Sequence, residues 1–170
     1  MEHFLSCTLG FVMVGLFLQG GTVQDAKVQT CPPKVLSFKE HCYIFFSFKV
    51  RWIEAEKTCQ DYLPGGHLAS ISSFAEMSEI DIYILDNHNY FENVWIGLYR
   101  IGKTNSIPAQ NMNWFWSDGS SSRYSYWDEG EPNNTNNQSS CVELLHDTGY
   151  RYWNDEDCEL KRRFLCKYKP

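Results

Sequence analysis

The chain has no apolar run long enough to cross a bilayer. Residues 9–18 (LGFVMVGLFL) form a run of ten, half of the roughly 20 residues a membrane helix needs. No C-x-x-C pair and no histidine at finger spacing occurs, which argues against a structural zinc site. Basic charge is not in excess either. The 15 Lys and Arg stand against 21 Asp and Glu, for a net charge of −6, so neither nucleic acid nor an anionic membrane is expected as a main partner. Also missing are the G-x-S-x-G elbow and the H-E-x-x-H helix. His41, His67, His88 and His146 are scattered with no partner pattern. The expectation is a binding protein, not an enzyme.

What is present starts with that ten-residue run. It has the length of a secretory signal core, and Gly20, Gly21 and Thr22 follow it. Residues 1–24 are expected to be a signal peptide, cleaved near positions 20–26, although the segment before the run carries Glu2 and no Lys or Arg. Its removal takes Glu2 and no basic residue, so the net charge moves from −6 to −5. Residues 25–30 form a short N-terminal segment, and residues 31–170 are long enough for one domain with a core of its own. Cys7 leaves with the signal. Cys31, Cys42, Cys59, Cys141, Cys158 and Cys166 remain. An even number in a secreted, extracellular chain implies a disulfide framework, and spacing alone leaves 15 pairings open. No cysteine is left over, so no interchain disulfide is expected.

Hydrophobic periodicity orders the rest. Residues 41–48 (HCYIFFSF) read as a strand. The next stretch reads as a helix, with Trp52, Ala55 and Cys59 on one face. HLASISS alternates as a short strand. Ser73-Phe74-Ala75-Glu76 is a capping box that opens a second helix, with Phe74, Met77, Ile80 and Ile84 on its buried side. VWIGLY (94–99), CVELL (141–145) and RRFLCKY (162–168) read as strands. Between residues 102 and 138 Gly, Ser, Asn, Pro and Asp dominate, interrupted by Trp114, Trp116 and Trp127; long loops of this kind are often functional. Trp95, Trp114, Trp116 and Trp153 are expected in the core, and Trp127 as a loop anchor. Helices that do not alternate with strands make the class α+β.

In the loop, Glu131 and Asn133 flank Pro132, and Asn154 and Asp155 follow later. All four offer oxygens of the type a hard cation such as Ca²⁺ takes, six to eight at a time. A cis bond before Pro132 would turn the two flanking side chains to one side. The competing reading is a solvated Asn-rich turn and an acidic hairpin tip.

Trp95-Ile96-Gly97-Leu98, Glu131-Pro132-Asn133 and Trp153-Asn154-Asp155, together with the six cysteines, resemble the C-type lectin domain, snake-venom-type secreted members among them. The resemblance covers about residues 31–168. It implies the C-type lectin fold and the pairs Cys31–Cys42, Cys59–Cys166 and Cys141–Cys158. It also implies Ca²⁺ and carbohydrate binding by Glu131, Asn133, Asn154 and Asp155. Glu-Pro-Asn resembles the motif for mannose-like glycans with equatorial 3- and 4-hydroxyls. One departure stands out. The pattern has a further Glu two residues before Cys141, and this chain has Ser139. The site thereby loses a charged ligand, so Ca²⁺ is expected to bind weakly, in a class of extracellular sites already near 10⁻⁴ to 10⁻³ M. Glu143, the next acid, is not expected to reach. Asn134 and Ser140 stand where an auxiliary calcium site would have acids. The alternative is a protein-binding module of the same fold, with a receptor or coagulation factor as target. Asn133 and Asn137 both open N-glycosylation sequons, Asn137 being the better acceptor.

Overall fold

The aromatic run that follows His41 forms the longest described strand of the sheet. The computed structural model describes residues 30–88, 90–101, 113–135 and 139–170. Strand β1 (Leu36–Phe38) and β2 (His41–Val50) form an antiparallel hairpin, and β2 pairs along β8 (Arg162–Tyr168), which joins the start of the domain to its end. β8 lies parallel to β4 (Val94–Tyr99). β4 pairs with β6 (Ser139–Leu144), and β6 with β7 (Trp153–Asp157), both antiparallel. The order β1-β2-β8-β4-β6-β7 puts β7 at an edge; β3 (His67–Leu68) adds to β8, and β5 (Phe115–Trp116) to β4. None of the described helices is long and apolar enough to cross a membrane.

Helix α1 (Trp52–Tyr62) buries Trp52, Ala55 and Cys59, the face its period predicts. Trp52 also donates its indole N–H to the Ile96 carbonyl at 2.8 Å, which fastens α1 to β4. Gly97, next in β4, is there for space. A Cβ would stand 2.5 Å from the Leu68 carbonyl oxygen. Helix α2 (Phe74–Asn87) buries Met77, Ile80 and Ile84 but not Phe74, which is 58% exposed. Phe74 occupies the first turn and meets Tyr126 edge-on. Trp95, Trp116 and Trp153 are core residues, and Trp114 packs against the core. Strand character in HLASISS is confined to His67 and Leu68. Beyond them Ala69 still bridges two strands, donating to the Leu165 carbonyl (2.8 Å) and accepting from the Gly97 amide (2.9 Å). The stretch from Trp153 to Asp157 is a strand, not a hairpin tip. The disulfides are Cys31–Cys42, Cys59–Cys166 and Cys141–Cys158. The α+β architecture stands as expected.

The capping box forms by half. Ser73 Oγ accepts from the Glu76 amide at 3.2 Å. The Glu76 carboxylate does not return to Ser73. It is 2% exposed and accepts from Ser72 N (2.8 Å), Ser72 Oγ (2.6 Å), Lys167 Nζ (2.8 Å) and the Tyr43 hydroxyl. A buried carboxylate is costly unless its lone pairs are filled, and these donors fill them. Burial alone would raise the Glu76 pKa, but Lys167, Ser72 and Tyr43 outweigh it and hold the group below its ordinary value of 4.5. A depressed carboxylate contributes stability above its unfolded pKa and loses it as pH falls through the folded one. Urea unfolding should therefore show stability falling below about pH 4.5, with a shallower fall in Glu76→Gln; equal slopes would remove Glu76 as a cause.

Candidate functional site

The loop that carries Glu131 is tied to the edge strand before the acid is reached. Trp127 bridges Trp153 and packs against Trp114 (5.1 Å between ring centroids). The Trp153 amide donates to the Tyr126 carbonyl, and the Asp128 amide to the Trp153 carbonyl, both at 3.0 Å. A turn then closes from the Glu131 amide to the Asp128 carbonyl, also 3.0 Å. Trp127 is thus the anchor its position suggests.

The Glu131–Pro132 bond is cis, and Pro132 is buried. The Asn133 carboxamide donates to Glu131 Oε1 at 2.7 Å, and the Asn133 amide to Glu131 Oε2 at 3.0 Å. The same backbone amide donates to Asp155 Oδ1 at 2.7 Å, and the Asn134 amide to Asp155 Oδ2 at 3.0 Å. Asp155 is 2% exposed. One carboxylate on β7 therefore holds two successive loop amides and brings Glu131, Asn133 and Asp155 together.

This corner holds two acids close to each other. Burial, and then hydrogen bonding to and repulsion from Asp155, push the Glu131 carboxyl up to about 7, against the pull of the Asn133 donors. A divalent cation relieves such a conflict, and carboxylate and carboxamide oxygens are the donors Ca²⁺ takes. The residues present fit the ion, but with modest charge. Among the described residues no cluster of three His, Cys, Asp or Glu is gathered.

Asn154 lies beside Asp155 on the edge strand, and its carboxamide nitrogen is held by another acid. Its Nδ2 donates to Glu143 Oε1 at 3.1 Å. Glu143 stands opposite it in β6, is 1% exposed, and also accepts from Asn93 Nδ2 (2.7 Å) and Arg162 Nε (2.7 Å). Glu143 thus reaches Asn154 without joining Glu131 and Asp155. Arg100, 5% exposed, donates to Asn134 Oδ1 beside the loop. Sequence reasoning did not assign Glu143 or Arg100 a part here. For Glu143 a signal existed, an acid at an inward position of a strand with Arg162 two positions before a core Phe. Ser139 opens β6 opposite Asp157, and only its backbone is described. Asn137 and residues 1–29 lie outside the described residues. Clefts of about 430, 380 and 300 Å³ lie elsewhere on the surface.

The Lectin C-type domain family matches residues 48–168. The C-type lectin BiL of Bothrops insularis is 40% identical over 169 residues, 99% of each chain. Among solved structures, human lithostathine superposes with a TM-score of 0.72 at 34% identity, over 82% of this chain and all of that one. The C-type lectin domain of murine dendritic cell inhibitory receptor 2, solved in complex with N-glycan, gives 0.66 at 30% identity, over 83% of this chain and all of that one. With its fold, its three disulfides and these relatives in agreement, the chain belongs to the C-type lectin family.

Proposed function

We propose that this protein is a secreted, Ca²⁺-dependent lectin for mannose-like glycans with equatorial 3- and 4-hydroxyls. The observation that carries the reading is the Glu131–Asn133–Asp155 corner, where an acceptor and a donor lie side by side over a second carboxylate. Glu131, Asn133, Asn154 and Asp155 would hold the ion. Bound there, Ca²⁺ supplies open coordination positions for two vicinal hydroxyls. The protein's own part is complementary. The Glu131 carboxylate accepts from one hydroxyl and the Asn133 amide donates to the next. At present the two satisfy each other at 2.7 Å, and a diol presents the same donor and acceptor to each. Three disulfides support an oxidising, extracellular location, with residues 1–24 as the signal and residues 31–170 as the domain. The N-glycan complex of the similar murine receptor domain supports a glycan as ligand class. Retention on immobilised mannose in millimolar Ca²⁺, released by EDTA, is the test. No retention sinks the reading.

Ser139 favours a second reading, a protein-binding module whose calcium site has weakened. The two separate on one substitution. Ser139→Glu restores a carboxylate to the opening of β6 and should tighten Ca²⁺ at least tenfold by calorimetry, about 1.4 kcal/mol, with mannose retention rising in step. Wild type and variant that both take up no Ca²⁺ would leave the protein-binding reading.

A further inference from the structure

Glu143 is a buried acid that holds a candidate ligand, Asn154, by its side-chain amide. Its two oxygens are filled by three donors: Arg162 Nε on Oε2, and the carboxamides of Asn93 and Asn154 on Oε1. A carboxylate paired with a guanidinium only accepts, so it fixes the orientation of each amide it touches. Asn154 must present Nδ2 to Glu143. Its carbonyl Oδ1 is then the end left over, and it accepts no hydrogen bond among the described residues. Oδ1 is not among the buried, unsatisfied atoms, and Asn154 is only half-buried. Asn93 is locked in the same way, and its own Oδ1 accepts from the His146 amide at 3.0 Å. Both ends of that second carboxamide are therefore used, which leaves Asn154 as the clamped amide with a free carbonyl.

We infer that Glu143 is a positioning residue. By holding the Asn154 Nδ2, it turns the Asn154 carbonyl outward as a cation ligand and prevents the amide from presenting its N–H₂ face instead. The inference rests on the Ca²⁺ reading of the Glu131–Asp155 corner. Arg162 gives the clamp its rigidity. It fixes the far oxygen of Glu143 and lies over the Trp95 ring at 5.8 Å. Partners that orient a metal ligand from behind typically change metal affinity by about 10- to 100-fold when removed.

The test is a double-mutant cycle read by calorimetric Ca²⁺ titration of the full domain, with side-chain amide NMR on the metal-free protein. In Glu143→Gln, Arg162 keeps the one remaining oxygen, and the new N–H₂ group faces Asn93 and Asn154. The Asn154 amide should flip, its N–H₂ signals in metal-free protein should move, and the Ca²⁺ Kd should rise by about 10- to 100-fold. Adding Asn154→Asp to that variant supplies an acceptor at both ends. It should recover affinity, whereas Asn154→Asp alone, placed against Glu143, should not. A purely structural role would give no such reciprocal rescue. If wild type binds Ca²⁺ and Glu143→Gln binds it equally, the positioning role is overturned while the Ca²⁺ reading stands. If wild type takes up no Ca²⁺, the Ca²⁺ reading fails and takes the inference with it. If Glu143→Gln loses the native spectrum, Glu143→Asp decides: unchanged affinity with an altered Asn154 amide signal overturns the proposal.

Discussion

Asp155→Ala is expected to abolish Ca²⁺-dependent sugar retention and to loosen the loop at once. Its carboxylate has two duties. It is one of the two acids in the candidate site, and it accepts from the Asn133 and Asn134 amides at 2.7 and 3.0 Å. Hydrogen bonds to a charged acceptor contribute about 1.5 to 3 kcal/mol each. Some of that returns when the freed amides meet water, because Asn133 is exposed. A net loss of about 2 to 3 kcal/mol by urea unfolding is the expected balance. Asp155→Asn separates the duties. It keeps an acceptor for one amide but removes the charge, so most stability should stay while Ca²⁺ affinity falls. Unchanged Ca²⁺ affinity in Asp155→Ala would exclude this corner as the metal site.

The second large effect is on stability alone. Cys59→Ala with Cys166→Ala opens the link between α1 and β8, which spans 107 residues in sequence. In the chain-entropy account a closed loop of about 100 residues restricts the unfolded state by about 4.7 kcal/mol, against about 3 for a loop of about 15, the scale of Cys141–Cys158. Domains of this size are stable by only about 5 to 15 kcal/mol. The double variant should thus be the least stable of the three possible disulfide deletions, with an unfolding midpoint near the edge of the usable range. Its denaturant slope should also rise, since an unlinked chain exposes more surface. A loss below about 1 kcal/mol, or a larger loss for Cys141–Cys158, would show that the entropy of the unfolded chain does not set the order.

Much of the fold was legible in residue pattern. The period in Trp52, Ala55 and Cys59 marked α1, and the apolar run VWIGLY marked β4. Where pattern failed, a local signal was overridden by position. Phe74 has the spacing of the buried face but sits in the first turn, where it is largely exposed and meets Tyr126 edge-on. HLASISS alternates like a strand yet finds a ladder partner only at its start. WNDED carries too many acids to read as a strand, and it forms one by pairing along β6, with Trp153 and Asp155 buried and the other three residues half-buried.

By itself the sequence determined the family, the class, the cysteine set and the four candidate residues of the site, since these depend on residue type and order along the chain. The tertiary structure decided which of those residues meet. It joined Glu131, Asn133 and Asp155 directly, and it turned Asn154 toward Glu143. It also placed Arg162, remote in sequence from Asn93, on the same buried carboxylate. The physical reason is that a buried acid is stable only where several donors converge. That convergence depends on strand register across β6, β7 and β8, and no local stretch of sequence records it.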